Sequence, residues 1–110
     1  MEKFYVYILI SLRDNGLYIG YTNNLKNRLI LHANRKVSST RLRTPFKLIH
    51  YEYFVNSKDA KAREEFLKSG YGRKQLKEFL KNTFAAPLYS DEGTRRASEK
   101  IGPASLAGLE

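Results

Sequence analysis

The first long run of apolar residues, positions 4–10, is rich in β-branched and aromatic side chains, which predicts a β-strand. Because every position in the run is apolar, we expect a central strand that is covered on both faces. Asn15 and Gly16 are typical of a hairpin turn, since both residue types tolerate positive φ angles. Residues 17–21 then predict the antiparallel return strand. The predicted faces of the first strand carry Val6, Ile8 and Ile10 on one side and Tyr5, Tyr7 and Leu9 on the other.

A helix is predicted for residues 25–35, because asparagines that suit an N-cap precede a helical hydrophobic period. At 100° per residue, Leu25, Leu29 and His32 lie within about 40° of one another, which predicts one buried stripe. Arg28 lies on the shoulder of that stripe.

The sequence pattern of the second half of the domain predicts one strand, residues 46–55, followed by two helices. The helices are residues 57–69 and 73–82, and a glycine-containing break separates them. The predicted strand places Tyr51 and Tyr53 on one face and Leu48, His50 and Glu52 on the other. The last helix is expected to turn Leu76, Phe79 and Leu80 inward.

Composition changes at residue 83, where Ala, Pro, Gly and Ser become frequent. We therefore expect one folded domain, residues 1–82, and a flexible C-terminal tail, residues 83–110. A short helix is predicted within the tail, near residues 94–101.

The predicted domain is strongly basic. Residues 1–82 hold 17 Lys and Arg against 7 Asp and Glu, a net charge of +10, whereas the tail holds 3 against 4. Such a domain is expected to bind polyanions, with nucleic acid ahead of a membrane surface. The chain has no cysteine, which excludes disulfides and cysteine-based metal sites, and no apolar run long enough to span a bilayer. We expect a cytoplasmic protein that is monomeric by default. The net charge predicts a polyanionic partner but does not separate a protein that binds nucleic acid from one that cleaves it.

Residues 34–45 show no hydrophobic period and interleave four cationic side chains with hydroxyl groups. Arginine, lysine and hydroxyl side chains are common donors to phosphate oxygens. The residues predicted to bind nucleic acid are Arg35, Lys36, Ser39, Thr40, Arg41 and Arg43.

Glu64 lies within the apolar stripe of the helix predicted for residues 57–69, whereas Glu65 falls about 100° further round, on the solvent side. A carboxylate that faces the sheet is costly unless a cation meets it. One interpretation is a metal ligand, because Mg²⁺ takes one or two carboxylates together with water and substrate phosphate. The other is a structural ion pair between Glu64 and an arginine.

Arg28 and His32 lie one helical turn apart, and each has two interpretations. The Arg28 guanidinium is suited to stabilise a pentacovalent phosphate, or it covers the edge of the core and reaches water with its head. His32 is suited to transfer protons or bind phosphate, or it is a packed helix histidine.

Tyr7 and Tyr18 lie on neighbouring predicted strands, where the usual role of tyrosine is core packing. A phenol with a pKa near ~10 is a poor base at neutral pH unless neighbouring cations lower that pKa. Gly20 removes a side chain beside Tyr18, which leaves room for a ligand to approach the backbone. The sequence contains no Ser/His/Asp triad, phosphate-cradling glycine loop or zinc-ligand spacing.

Together these motifs resemble the GIY-YIG nuclease superfamily, specifically its small single-domain members. Residues 5–7, Tyr-Val-Tyr, stand in the place of the first motif, and residues 18–20, Tyr-Ile-Gly, match the second. Arg28 follows ten residues after Tyr18, and His32 comes one turn later, as in the family helix. Tyr5 replaces the glycine of the first motif.

Residues 60–64 and 67–68 resemble the family segment that carries the acidic metal ligand, which selects Glu64 over Glu65. The resemblance covers about residues 3–81. It implies an α/β protein of the α+β type, with a three-stranded antiparallel sheet flanked by helices. It also implies phosphodiester hydrolysis that depends on Mg²⁺ or Mn²⁺.

Carried over position by position, the resemblance makes Tyr7 the general base for the attacking water, while Tyr18 orders that water or the scissile phosphate. Arg28 stabilises the phosphorane, Glu64 holds the metal, and His32 assists. The first hypothesis is therefore a DNA endonuclease, with branched or damaged DNA and a role in repair or recombination as its context. The alternative is a nucleic-acid-binding module that keeps the scaffold without catalysis, since the net charge of +10 and the loop from Arg35 to Arg43 need no chemistry.

Overall fold

The computed structural model describes residues 2–86, whose strands and helices follow the predicted order. The elements are β1 Phe4–Ser11, β2 Leu17–Thr22, α1 Leu25–Ala33, β3 Phe46–Phe54, α2 Ser57–Lys68, α3 Gly70–Phe79 and α4 Lys81–Ala85. Within this part of the chain the strands form an antiparallel sheet in the order β2-β1-β3, so β1 is central. The predicted fold class, a three-stranded antiparallel sheet flanked by helices, is confirmed.

The two faces of β1 divide the core as predicted. One face, which we call the α1 face, carries Tyr7 and Leu9, and these pack against Leu25 and Leu29 of α1. The opposite face, the α2 face, carries Val6 and Ile8, whose cluster includes Ala60 and Leu67 of α2 and Leu76 of α3. The functional side chains on α1 therefore meet only one side of the sheet.

The predicted hairpin turn between β1 and β2 is confirmed. Asn15 adopts a φ of 62°, and the Ser11 and Asn15 backbone amides close the loop by donating to the carbonyls of Gly16 and Ser11, both at 2.9 Å. The Asp14 carboxylate accepts from the Gly16 amide at 2.7 Å. Ser11 also ties the end of β1 to a later loop, because its hydroxyl donates to the Arg43 carbonyl at 2.6 Å.

A β-bulge in β3 corrects one predicted face. Ile8 pairs with His50 but Leu9 pairs with Leu48, so Ile49 is an extra residue on β3. An extra residue reverses the alternation of side chains beyond it. Leu48 therefore lies on the α1 face with Leu9, and the prediction that it shares a face with His50 and Glu52 was wrong.

The tyrosines of β3 lie as predicted on one face, which is the α1 face. Tyr51 pairs with Tyr7, and Tyr53 pairs with Tyr5. Residues opposite each other in an antiparallel pair project to the same side of the sheet. β3 thus adds two phenol rings to the face that carries Tyr7.

The break between α2 and α3 is shorter than predicted. Ser69 ends α2 and also caps α3, since its hydroxyl oxygen accepts from the Gly72 amide at 3.0 Å. At Gly72 a β-carbon would overlap the Phe66 carbonyl oxygen, so the close approach of the two helices requires glycine here. α3 therefore begins at Gly70, and the predicted start at Arg73 was wrong.

The buried side of α3 also differs in part from the prediction. Leu76 is buried and Leu80 is half-buried, but Phe79 is 65% exposed. Its ring packs edge-on against His50, with centroids 5.4 Å apart, instead of entering the core. The inward placement predicted for Phe79 was wrong because it lies at the rim of the stripe.

The last described helix, α4, reaches Ala85, so residues 83–85 of the predicted tail are helical. The helix predicted near residues 94–101 lies outside the described residues. Within residues 2–86, no helix has the length and apolar character needed to cross a membrane.

Candidate active site

Tyr7 and His32 meet at the centre of the α1 face. The central strand supplies Tyr7, and the buried stripe of α1 supplies His32 together with Leu25 and Leu29, as the helical period predicts. The Tyr7 hydroxyl lies 2.7 Å from His32 Nε2, and both residues are fully buried. A phenol and an imidazole are thus hydrogen-bonded inside the domain.

The other nitrogen of His32 bonds to Thr40, 2.7 Å from Nδ1 to Oγ1. The Thr40 hydroxyl donates to the Val37 carbonyl at 3.4 Å, so Thr40 accepts from His32 Nδ1–H. His32 Nε2 then accepts from the Tyr7 hydroxyl, an order of protons inferred from this network. We call Tyr7, His32 and Thr40 the buried hydrogen-bond chain.

Thr40 was predicted to contact nucleic acid, and the structure contradicts that prediction. Thr40 is fully buried, and both sides of its hydroxyl are taken up by His32 and Val37. It therefore has no surface to offer to a phosphate. Its observed role is to hold the imidazole of His32 in place.

Burial keeps the Tyr7–His32 pair uncharged. Burial, followed by the positive charge of Arg28, lowers the pKa of His32 to about 4. Burial and the neighbouring Tyr18 raise the pKa of Tyr7, and the hydrogen bond and charge of Arg28 only partly oppose this. At neutral pH the phenol is protonated and the imidazole is neutral.

Tyr18 and Arg28 flank this pair and are half-buried. The Tyr18 ring centroid lies 6.1 Å from that of Tyr7 and 5.0 Å from that of His32. Arg28 interacts with both phenols, and its hydrogen bond to Tyr7 is the main reason that the pKa of Arg28 is raised. The structure thus brings four predicted site residues together, and Tyr18 and Arg28 are the two that solvent reaches.

The space beside Gly20 is filled by a protein side chain. A β-carbon at Gly20 would overlap the ring and hydroxyl of Tyr7, which lies directly across the sheet from it. The prediction that Gly20 leaves room for a ligand was wrong. The glycine instead allows Tyr7 to lie flat enough against β2 to reach His32.

Glu64 lies on α2, the helix that packs against the α2 face of the sheet. Its side chain is 20% exposed, between the buried Ala60 and Leu67, and forms an ion pair with Lys68 at 3.2 Å. Glu65 is exposed, as expected. The partners that shift the pKa values of Tyr7 and His32 are Arg28 on α1 and Tyr18 on β2.

The donor set that Glu64 itself offers to a metal is one carboxylate. No group of three His, Cys, Asp or Glu side chains suited to a metal occurs within residues 2–86. Such a set fits a hard cation that keeps several waters and also binds substrate phosphate, as Mg²⁺ does. It does not fit a cation that needs a cage of protein ligands.

The loop predicted to bind nucleic acid is largely open to solvent. Besides the buried Thr40, Arg43 is an exception, because it forms an ion pair with Asp14 at 3.1 Å and its guanidinium lies 5.9 Å from the Phe46 ring centroid. Arg43 therefore fastens the loop to the hairpin. The exposed residues of the prediction are Arg35, Lys36, Ser39 and Arg41.

The segment that supplies most of the α1 side contains no acidic residue. Residues 15–51, which include β2, α1 and the cationic loop, contain no Asp or Glu and seven Lys or Arg. The acidic residues of the described chain lie before this segment or after it, chiefly on β3, α2 and α3. A polyanion that approaches the α1 face meets no carboxylate from this segment.

Sequence reasoning missed an ion-paired network on the α2 face, which we call the Glu52 network. Glu52 accepts from Arg63 at 2.9 Å and lies 2.9 Å from His50. Burial alone would raise the pKa of Glu52, but the hydrogen bonds from Arg63 and His50 outweigh it, so the pKa is lowered. The bulge at Ile49 sets which way His50 and Glu52 point, and no local pattern in the sequence indicates a bulge there.

The chain is similar to known proteins. A model of the GIY-YIG catalytic domain matches residues 3–77. A UPF0213 protein of Oceanobacillus iheyensis is 43% identical over 81 residues, which is 73% of this chain and 86% of that protein. A UPF0213 protein of Clostridium perfringens is 45% identical over 65 residues, which is 58% of this chain and 69% of that protein.

A solved structure is also similar to the chain. The solution NMR structure of a UPF0213 protein from Bacillus halodurans is 34% identical, covers 70% of this chain and 84% of that one, and has a TM-score of 0.46. Nucleases with a GIY-YIG domain act on nucleic acid and generally depend on a divalent metal. From the extent of the domain match and the identity to its curated relatives, this chain belongs to the GIY-YIG nuclease family, among small UPF0213 proteins.

Proposed function

We propose that this protein is a metal-dependent endonuclease that hydrolyses phosphodiester bonds of DNA, with Mg²⁺ or Mn²⁺ as its cation. The observation that supports this most is the hydrogen bond between Tyr7 and a neutral His32, with Arg28 beside both. A cytoplasmic role in DNA repair or recombination is part of the same proposal.

Arg28 and Tyr18 are suited to bind the scissile phosphate. Both are half-buried, so their polar ends are accessible while the rest of each side chain is held by the core. A guanidinium makes charge-assisted hydrogen bonds to phosphate oxygens. Its charge stabilises the extra negative charge of the pentacovalent transition state more than that of the ground state, which lowers the barrier.

Tyr7 and His32 are suited to take the proton of the attacking water. In the resting protein, transfer from Tyr7 to His32 is unfavourable, since burial opposes charge on both groups. A phosphate bound at Arg28 offsets the positive charge that lowers the pKa of His32, which favours the imidazolium, while the hydrogen bond between Arg28 and Tyr7 favours the phenolate. The Tyr7 phenolate can then accept a proton from water as the water oxygen bonds to phosphorus.

Access to Tyr7 is a requirement of this mechanism. Tyr7 is fully buried, and its partly exposed neighbours are Tyr18 and Arg28. The two neighbours must therefore shift when the phosphate binds, so that a water molecule reaches the Tyr7 oxygen.

Glu64 would hold the cation. When bound, Mg²⁺ polarises a phosphate oxygen and neutralises developing charge. Lys68 now pairs with the Glu64 carboxylate, so its ammonium group would have to give way to the metal.

The proposal is tested by incubating the purified protein with supercoiled plasmid and with branched duplexes, in Mg²⁺ or Mn²⁺ and in EDTA. We expect cleavage that needs the metal, and a loss of at least about 100-fold in the cleavage rate of Glu64→Ala. DNA binding and thermal stability should be nearly unchanged, because the substitution removes stabilisation of the transition state only. The matched control is Glu65→Ala, which should cleave like the wild type.

Cleavage by Glu64→Ala at the wild-type rate, or no metal-dependent cleavage by the wild type, would contradict the proposal.

A second candidate is a nucleic-acid-binding module without catalysis. The full burial of Tyr7 and the ion pair between Glu64 and Lys68 favour it, because neither group is then free to react. This candidate predicts binding that weakens steeply with salt and is the same in EDTA and in Mg²⁺, without cleavage of any substrate.

A further inference from the structure

Three tyrosines form an aromatic surface on the α1 face that the catalytic proposal does not use. Tyr5 lies between Tyr51 and Tyr53, with ring centroids 6.2 Å and 5.7 Å away. Tyr51 is 43% exposed and Tyr53 is 47% exposed, although both lie in a regular strand. We call these residues the tyrosine patch.

The tyrosine patch adjoins the candidate active site. Tyr51 lies directly opposite Tyr7 in the sheet, and Tyr53 lies opposite Tyr5. Opposite residues have Cβ atoms about 5 Å apart, and a step of two residues along a strand is about 7 Å. The exposed rings therefore begin beside the proposed base and continue away from it along the edge strand β3.

The charges around the patch suit a polyanion. The three strands contain one carboxylate, that of Glu52, and it faces α2 and pairs with Arg63. No acidic residue occurs in residues 15–51, which supply β2, α1 and the loop between α1 and β3. Exposed rings beside a segment that contains no carboxylate match a nucleic acid better than an apolar peptide, which would need no such charge pattern.

Only an unpaired base can present its face to these rings, because the bases of a duplex are stacked on one another. We propose that the tyrosine patch stacks with unpaired bases beside the scissile phosphate, so that the substrate carries a single-stranded segment at the cleavage point. This inference deepens the proposed function and relies on it for the position of the scissile phosphate.

The test measures binding in EDTA, so that cleavage plays no part. The probes are a fluorescein-labelled oligothymidylate and a labelled duplex of the same length, and the readout is fluorescence anisotropy. The variant Tyr51→Thr/Tyr53→Thr removes both exposed rings and keeps residues that suit a strand. We expect its affinity for the single strand to fall about 5- to 150-fold per ring, with an affinity for the duplex within about twofold of the wild type.

Two controls separate stacking from other causes. Tyr71→Thr removes a tyrosine that is 67% exposed on α3, outside the patch, and should leave both affinities unchanged. Tyr51→Phe/Tyr53→Phe keeps the rings without the hydroxyls and should retain single-strand binding. If the double threonine variant does not fold, the single variants Tyr51→Thr and Tyr53→Thr carry the same test.

Equal losses for single strand and duplex would overturn the inference, because they indicate a general phosphate-binding surface. Unchanged affinities would also overturn it, and would favour a protein partner for the patch. If the double threonine variant loses single-strand affinity as expected but the wild type cleaves nothing, the result contradicts the proposed function. It still supports the patch as a site for unpaired bases.

Discussion

The α1 face and the α2 face of the sheet both hold polar side chains, but they do so in opposite ways. On the α1 face, the buried hydrogen-bond chain is fully closed to solvent and its members are joined by hydrogen bonds of 2.7 Å. On the α2 face, the Glu52 network is partly exposed, and Glu52 is joined to Arg63 by an ion pair and to His50 by a hydrogen bond, both at 2.9 Å.

The two arrangements differ in how burial acts on ionisation. On the α1 face burial is the largest influence on both pKa values. It lowers the pKa of His32 and raises that of Tyr7, so both groups stay neutral. On the α2 face the partners of Glu52 outweigh burial, so its pKa is lowered and it stays charged. Neutral groups joined by hydrogen bonds thus occupy one face, and charged groups that link strand to helix occupy the other.

The largest effect that we expect from this contrast is a loss of stability of the α1 face at acidic pH. An unfolded histidine takes up a proton near pH 6.5, whereas folded His32 does so only near pH 4. The unfolded state therefore binds more protons between these values, and stability falls as pH decreases. We expect His32 to account for about 3 kcal/mol of lost unfolding free energy between pH 7 and pH 4.

The measurement is urea denaturation at several pH values, for the wild type and for His32→Gln. Glu52 also makes the unfolding free energy fall at low pH, because its pKa is lowered in the folded protein. That part of the loss should remain in His32→Gln. An NMR titration of the His32 ring checks the same point in the folded protein. A titration midpoint near 6.5, or the same pH dependence in both proteins, would show that His32 is not buried in neutral form.

The second prediction concerns the close packing of Tyr7 on Gly20. In Gly20→Ala the new methyl group overlaps the Tyr7 ring and hydroxyl, so the ring must move and its hydrogen bond to His32 is lost. We expect a loss of about 1–3 kcal/mol in unfolding free energy, as for other overpacked cores, together with loss of cleavage.

Gly70→Ala is the matched control, because no heavy atom lies within 4 Å of a β-carbon at that position. It should be neutral, or more stable by about 0.4–1 kcal/mol, since alanine has less freedom to lose on folding. Denaturation curves of the wild type and the two variants measure these differences in unfolding free energy. Equal stability of Gly20→Ala and the wild type would mean that Tyr7 is not packed against β2.

Local periods in the sequence predicted the parts of the α1 face that depend on one element alone. The helical period places Leu25, Leu29 and His32 in one stripe, and strand alternation places Tyr7 on the opposite side from Val6 and Ile8. Both patterns follow from the geometry of a single helix or strand. The placements that they predict are therefore the same in the folded protein.

The parts that depend on contacts between distant elements could not be predicted in this way. Thr40 looks like a phosphate ligand in a cationic loop, and only the fold shows that it closes over His32. One physical signal was available, since a buried histidine needs a partner for each ring nitrogen and a nearby hydroxyl can supply one. The bulge at Ile49 and the filled space at Gly20 have no comparable signal, because each depends on the register between two strands.

The smallest expected effect on stability lies on the α2 face and tests the role of Glu64. Lys68 is 52% exposed, and exposed pairs at this helical spacing contribute little, so Lys68→Ala should change unfolding free energy by less than about 0.5 kcal/mol. Removing the ammonium group frees the Glu64 carboxylate, and we expect Mn²⁺ affinity, measured by calorimetry, to increase. Lys81→Ala breaks a similar exposed pair, with Glu78, and should leave that affinity unchanged. An equal increase when Lys68→Ala is combined with Glu64→Ala would exclude Glu64 as the metal ligand, because the gain would then come from the change in net charge alone.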